Sequence, residues 1–222
     1  MGVNRLIALL SIVFFIGCET RIETVKSSGE APVPNANYFP LIAESKHTYE
    51  YSFKDKRGSK TIITKQFIVD NSAVFFAVDE DDIAAHNPII GSGLPGLGAY
   101  LRTDKGIATF HCTWKRELSM LRPSEMQLML EFPLRKDSVT ELADYDGERE
   151  ITLRVAGFET VKVPAGSFRN CARIDVEKKW RSGEQYNSTF WLAPGIGVAK
   201  WRRATGRIDE LTSFNIPGSG KK

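Results

Sequence analysis

Apolar and polar residues alternate along most of the chain after residue 46, and this alternation is the pattern of half-buried β-strands. In the stretch His47–Phe53 it places Tyr49, Tyr51 and Phe53 on one face. Runs rich in β-branched and aromatic residues follow, and Asp55–Gly58 has the composition of a turn. The pattern therefore predicts strands at 47–53, 61–69 and 73–78.

The middle of the chain gives a weaker signal. Strands are predicted at Tyr100–Arg102 and Ile107–Trp114, joined by a glycine-containing turn. Residues 118–130 contain three methionines and Pro123, and they fit either a short helix or two strands. The acidic segment Ser138–Gly147 is predicted to be a loop.

The last third of the chain is the clearest β region. Short apolar runs alternate with turn signals, which is typical of sandwiches, barrels and curved antiparallel sheets. Because strands do not alternate with helices, a doubly wound fold is disfavoured. We expect a mainly β domain with little helix, built as a single curved antiparallel sheet or an open barrel or sandwich. Strands are predicted at 150–155, 161–163, 171–180, 189–192, 198–202 and 208–214, with turns at 156–157, 164–166, 181–183 and 194–195.

The N-terminus differs from the rest of the chain. Arg5 precedes an apolar run, Leu6–Ile16, and the small residue Gly17 follows it. About 20 apolar residues are needed to span a bilayer, so this run is too short for a spanning helix. A basic start, an apolar core and a small residue are the parts of a secretory signal.

The sequence Phe15-Ile16-Gly17-Cys18 resembles the lipobox of bacterial lipoproteins. That resemblance implies a signal peptide over 1–17 and lipidation of Cys18, with an ordinary secretory signal or a membrane anchor as the alternatives. Several acyl chains on one terminus anchor a protein stably. Glu19 stands where some bacteria place an Asp that retains lipoproteins in the inner membrane, which favours the outer membrane or cell surface.

Composition divides the remaining chain. Residues 18–37 are polar and predict a lipid-anchored flexible tether. The β-rich domain is predicted over 38–216 and a flexible tail over 217–222. The formal net charge is only +3, with both signs interspersed, so we expect no nucleic-acid partner. The run Trp201-Arg202-Arg203 is interpreted as a solvated strand end in preference to a phosphate site.

Two further cysteines, Cys112 and Cys171, allow either a disulfide or buried thiols in an oxidising envelope. Metal binding is not expected, because no second ligand pair at zinc-site spacing exists. The string Gly91–Gly96 matches GxGxxG but lacks the strand–helix context of a nucleotide site, so no cofactor is predicted. The acidic run Asp79–Asp82 is interpreted as a solvated turn and not as a Ca²⁺ loop.

Three segments resemble a group of uncharacterised bacterial envelope lipoproteins: Asn37-Tyr38-Phe39-Pro40-Leu41, the run from Val161 to Cys171 with the pattern V-x-V-P-A-G-x-F-x-N-C, and the run from Trp191 to Gly197 with W-x-A-P-G-x-G. The resemblance implies a curved antiparallel sheet and assigns no catalytic residues. In physical terms Pro164 ends a strand, and Gly195 suits a turn that needs a positive φ. We therefore interpret these motifs as structural.

The sequence favours a non-catalytic, membrane-anchored lipoprotein whose β-domain binds an apolar ligand or an envelope partner. The alternative is an envelope hydrolase with a site near His86 or His111, although isolated histidines are more often surface or core residues. No Gly-x-Ser-x-Gly elbow accompanies them.

Overall fold

The computed structural model describes residues 32–33, 36–79, 98–110, 122–143 and 149–218. Its secondary structure is almost entirely β. In the described ranges the strands are β1 Lys46–Phe53, β2 Lys56–Val69, β3 Ser72–Asp79, β4 Gly98–Arg102, β5 Gly106–Thr109, β6 Gln127–Glu131, β7 Val139–Ala143, β8 Arg149–Val163, β9 Gly166–Trp180, β10 Gln185–Ala193, β11 Gly197–Arg202 and β12 Ile208–Asn215, with one 3₁₀ turn at Pro123–Glu125.

The twelve strands form one sheet in the order β6-β5-β4-β3-β2-β1-β12-β11-β10-β9-β8-β7, and every neighbouring pair is antiparallel. The two edge strands, β6 and β7, approach each other. The Gln127 side chain spans the gap, donating from Nε2 to the Ala143 carbonyl at 2.7 Å and accepting from the Ala143 N–H at 2.9 Å. The result is a nearly closed, barrel-shaped sheet, which confirms the predicted fold class.

Because consecutive strands run antiparallel, their connections alternate between the two ends of the sheet. The turns that follow β2, β4, β6, β8 and β10 lie at the end where residues 36–41 pack, and we call this the plugged end. The turns β1–β2, β9–β10 and β11–β12 lie at the opposite end. Among the described residues, none belongs to a helix that could cross a membrane by its length and hydropathy.

Alternation along the strands directs one apolar row of each strand into the interior. The interior cluster joins side chains from both halves of the sheet, and several of its members are completely buried. These include Tyr100, Ile107, Met129, Ile151, Ile174, Phe190, Leu192 and Leu211. Tyr38 and Phe39, from the segment before β1, join the same cluster and fill the plugged end.

Three local predictions were wrong, and a fourth is tested only in part. Residues 139–143 of the predicted acidic loop form β7, with Leu142 as the buried contact. The predicted turn at Ala156-Gly157 is a β-bulge inside the continuous strand β8. The first turn falls at Lys54-Asp55, and Gly58 lies within β2. The predicted strand Ile107–Trp114 ends at Thr109 in the described range, and residues 111–114 lie outside it.

Two other local predictions have definite outcomes. The described part of 118–130 contains the 3₁₀ turn and the start of β6, which resolves the choice between helix and strand there in favour of a strand. Gly195 has φ +73°, so the turn after Pro194 does use the left-handed conformation that glycine supplies. The predicted signal peptide (residues 1–17), most of the predicted tether and residues 219–222 lie outside the described residues.

Candidate functional site

A buried carboxylate near the opposite end of the sheet organises the most polar part of the interior. Asp209, on β12, has a side chain only 2% exposed. Its Oδ2 accepts from Arg203 Nε at 2.7 Å, and its Oδ1 accepts from Arg207 Nη2 at 2.7 Å and Nε at 3.1 Å. The ammonium of Lys60, on β2, lies 3.1 Å from the same Oδ1. We call Lys60, Arg203, Arg207 and Asp209 the cationic cluster.

The sheet register brings this cluster together from two separated parts of the chain, residue 60 and residues 203–209. Asp209 is directly opposite Tyr51 of β1 on one side and Trp201 of β11 on the other. Lys60 is opposite Tyr49. Arg203 and Arg207 form the base of the β11–β12 turn, where the Arg203 N–H donates to the Arg207 carbonyl at 2.8 Å.

Aromatic rings hold the three cations in place. The Arg203 guanidinium lies 3.7 Å from the centroid of Trp201, and that of Arg207 lies 3.8 Å from the centroid of Tyr51. Lys60 Nζ lies 5.7 Å from the Tyr49 ring and 5.8 Å from the Trp201 ring. Cation–π attraction of this kind is worth about 0.5–2 kcal/mol per contact, more where water is excluded.

Gly58 makes room for one of these rings. A Cβ at this position would overlap the ring of Tyr51, so only glycine permits the observed packing. The Tyr51 ring therefore lies between the β2 backbone on one side and the Arg207 guanidinium on the other. The glycine that was predicted to form a turn instead shapes the site.

Burial and neighbouring charges shift the pKa values of Asp209 and Lys60. Burial raises the pKa of Asp209, but the hydrogen bond and charge of Arg203, the charge of Lys60 and the hydrogen bond of Arg207 outweigh it, and the net pKa is lowered. Burial lowers the pKa of Lys60, the charge of Arg203 lowers it further, and Asp209 only partly offsets both. The carboxylate is thus firmly ionised, whereas the ammonium is only partly compensated.

The cluster has more donors than it uses. Within the described part of the chain, neither terminal nitrogen of Arg203 has a partner, and neither does Nη1 of Arg207. The buried Nε1 of Trp201 also lacks a hydrogen-bond partner there. The Trp201 Nε1 is an orphan donor of a kind uncommon in protein interiors, where the large majority of buried polar atoms are bonded, whereas Arg203 and Arg207 are partly exposed to solvent.

These positions correct the interpretation of Trp201-Arg202-Arg203 as a solvated strand end. Trp201 is buried, and Arg203 bonds the buried Asp209. Only Arg202 fits the expectation, since it is exposed and donates from Nη2 to Thr189 Oγ1 at 3.2 Å. Sequence reasoning missed Lys60, Arg207 and Asp209. The sequence did contain a signal for Asp209. This carboxylate shares one face of its strand with Leu211, and the other inward residues of that strand are apolar.

His47 lies at a second, smaller site near the plugged end. Its Nε2 donates to the Ile196 carbonyl at 2.8 Å, and burial lowers its pKa. It lines a cavity of about 50 Å³ together with Phe39, Pro40, Leu41, Tyr49, Ile62, Thr64, Ala77, Tyr100, Ile196, Gly197 and Val198. This volume has room for a few water molecules and is far below the roughly 300–1,000 Å³ of ligand pockets.

The other candidate residues are only partly covered by the structure. Cys18, His86, His111, Cys112 and the string 91–96 lie outside the described residues, as do positions 80–82 of the acidic run. Asp79 ends β3. Cys171 is completely buried, with Sγ donating to the Phe168 carbonyl at 3.3 Å, and its pairing with Cys112 stays a prediction. The described residues contain no group of side chains arranged to hold a metal ion.

The three motifs singled out in the sequence meet at the plugged end. The Tyr38 hydroxyl donates to the Asn170 carbonyl at 3.0 Å, and the Gly195 N–H donates to the Asn37 carbonyl at 2.8 Å. A Cβ on Gly197 would lie 3.5 Å from Pro40 Cδ, in ordinary contact. The three motifs therefore contact and hydrogen-bond one another, as their structural interpretation requires.

Comparison with known proteins adds little. No family model matches the chain, and no curated protein matches it. A crystal structure from Parabacteroides distasonis ATCC 8503, described as that of a "putative lipoprotein", is similar at a TM-score of 0.40 and 11% sequence identity, covering 81% of this chain and 99% of that one. A likeness at this level carries no argument about function.

Proposed function

We propose that this chain is an envelope lipoprotein, held at the outer membrane by lipid on Cys18, whose β-domain is a non-catalytic binding domain. The anchor is supported by the basic, apolar and small segments before Cys18 and by the lipobox resemblance. The binding role is supported by the preorganised but incompletely neutralised cationic cluster.

One observation carries the proposal: the chain enters the sheet at the plugged end, and the cationic cluster lies toward the opposite end. A tether of residues 18–37 reaches at most about 70 Å when fully extended. Anchoring through this tether attaches the domain to the membrane from its plugged end. The cluster lies at the end farther from that attachment, where we place the contact with an envelope partner.

The interior favours an envelope partner over an apolar ligand. Tyr38, Phe39 and the apolar rows of the strands fill the described core, where the cavity beside His47 has a volume of about 50 Å³. An apolar ligand of ordinary size needs several times that volume, so the core itself does not accommodate one. A larger pocket of about 400 Å³ lies at the plugged end, lined by Val33, Tyr38 and Leu134 among others, away from the cationic cluster. Recognition through the polar groups of the cationic cluster is the form of the binding role that we propose. The hydrolase alternative, near His86 or His111, stays a separate prediction.

Metabolic labelling with radioactive palmitate tests the anchor. The wild-type chain, expressed in a lipoprotein-processing bacterium, should incorporate label and fractionate with the outer membrane, and Cys18→Ser should do neither. Cys112→Ser is the matched control, since it removes a cysteine outside the predicted signal and should keep the label. Label retained by Cys18→Ser, or absent from the wild type, would refute the lipoprotein assignment.

A further inference from the structure

The charge balance of the cationic cluster is incomplete. Three cations surround the single carboxylate of Asp209, which leaves a formal excess of two positive charges. Lys60 is only 12% exposed, whereas Arg203 and Arg207 are 29% and 27% exposed. Bringing a charge out of water costs free energy unless the charge is paired. A bound anion would therefore stabilise the cluster by pairing with the excess positive charge.

The unused donors belong to side chains whose orientation is fixed. The terminal nitrogens of Arg203 and one of Arg207 have no partner in the described part of the chain, and Asp209 is the carboxylate that pairs with Lys60 there. Asp209 orients both guanidinium groups through their Nε atoms, and the rings of Trp201 and Tyr51 fix their planes. Arginine held this way presents a rigid fork that matches carboxylate or phosphate oxygens.

Among the described residues, the neighbouring carboxylates of β1 and β12 do not supply the missing charge. Glu210, the neighbour of Asp209 in β12, projects to the other face of the sheet and bonds Lys200 Nζ at 2.6 Å. Glu50 is opposite Glu210 on that same outer face.

From this arrangement we propose that the cationic cluster is a binding site for a phosphate monoester, with Lys60, Arg203 and Arg207 as ligands of the phosphate and Asp209 as the residue that positions them. A dianionic phosphate cancels the excess of two charges, which a single carboxylate cannot do. This site deepens the proposed binding role. Phosphate binding by the cluster does not depend on lipidation of Cys18, so the two proposals can fail separately.

Isothermal titration calorimetry on the full chain in neutral detergent tests the site. The probes are phenyl phosphate, soluble dihexanoyl phosphatidic acid and acetate. Both phosphate monoesters should bind, and acetate should bind at least about tenfold more weakly. Equal affinity for the two phosphate probes would show that the phosphate group alone is recognised, and a preference for either one identifies a soluble ester or a lipid headgroup as the source.

Two variants assign the binding to the cluster. Lys60→Met keeps the apolar stem over Trp201 and removes one cation, and Arg203→Lys keeps the charge and loses the planar fork. Each should weaken phenyl phosphate at least about tenfold, as expected for loss of a charge-assisted hydrogen bond. Lys200→Met is the matched control: it makes the same change on the outer face and should leave the affinity within twofold.

Two further measurements separate loss of binding from loss of folding in the variants. Circular dichroism of each variant checks its fold, and a rise in the wild-type midpoint of thermal unfolding with phenyl phosphate gives an independent measure of binding. Absence of phosphate binding to the wild type, equal binding of acetate, or an affinity that Lys60→Met and Arg203→Lys both leave unchanged would overturn the assignment.

Discussion

The hydroxyl of Tyr38 donates a hydrogen bond to the carbonyl of Asn170, 132 residues further along the chain. The same hydroxyl accepts from the Val33 N–H at 3.0 Å, and the ring is only 2% exposed. Burial raises the pKa of this hydroxyl, so it stays protonated and able to donate. Asn170 has φ +54°, a conformation that turns its carbonyl out of the regular β9 ladder. The segment before β1 is thus fastened to a strand from the other half of the sheet.

Tyr38→Phe should lower the free energy of unfolding by about 1–2 kcal/mol, because it removes two hydrogen bonds and leaves their backbone partners partly buried. Urea unfolding followed by tryptophan fluorescence measures this. Tyr186→Phe is the control, since that hydroxyl contacts Glu184 on an exposed ring and should change the midpoint little. Equal effects of the two substitutions would contradict the fastening role.

Asp209→Asn should be far more damaging, by about 3–5 kcal/mol, because it leaves three neighbouring cations without their carboxylate. Adding Lys60→Met should recover part of the loss, since one uncompensated charge is removed. Chemical denaturation of the single and double variants gives the coupling. Asp137→Asn, at an exposed pair with Arg154, is the matched control and should leave the midpoint unchanged. A double variant no more stable than Asp209→Asn would argue against charge repulsion as the cause.

The lowered pKa of His47 predicts a loss of stability in acid. The unfolded chain takes up a proton near the ordinary value of about 6.5, whereas the folded chain resists protonation to a lower pH. Stability therefore falls as the pH drops below about 6.5 and stops falling below the folded pKa. In urea titrations between pH 7.5 and 5, His47→Gln should flatten this part of the profile. An unchanged slope in the variant would assign the acid sensitivity to other groups.

Gly58→Ala should destabilise the chain by about 1–3 kcal/mol, because the new methyl group overlaps the Tyr51 ring and forces it to move. Ser59→Ala, one residue along on the other face, is the comparison and should be nearly neutral. Thermal unfolding measures both. If Gly58→Ala also weakens phenyl phosphate while Ser59→Ala does not, the displaced ring has moved Arg207 with it.

The β class of the domain could be predicted because inward apolar residues recur with period two in most strands. Strand β7 could not, since only Leu142 of its residues is buried and Val139 is 54% exposed. A bulge and a turn look alike in sequence, because each interrupts the alternation of apolar and polar residues. Ala156-Gly157 in β8 is therefore easily taken for a turn. Local sequence cannot show that the ladder to β9 resumes beyond the bulge.

The site was less predictable than the fold for a different physical reason. Arg203 was visible as part of a basic run, but its environment depends on Asp209 and Trp201 being opposite each other across β11 and β12. Lys60 reaches the same carboxylate only because β1 lies between β2 and β12. Pairing of strands more than a hundred residues apart is a property of the whole sheet, and no short motif encodes it.

The fastening at the plugged end also determines how the domain bears mechanical load. A pull on the N-terminal side of residue 37 does not reach β1 first. It passes through the Asn37 carbonyl to the β10–β11 turn and through the Tyr38 hydroxyl to β9. The force is thereby shared with the long strands β8–β10 before β1 can detach from the sheet. The domain therefore resists unfolding when force is applied at its N-terminal end.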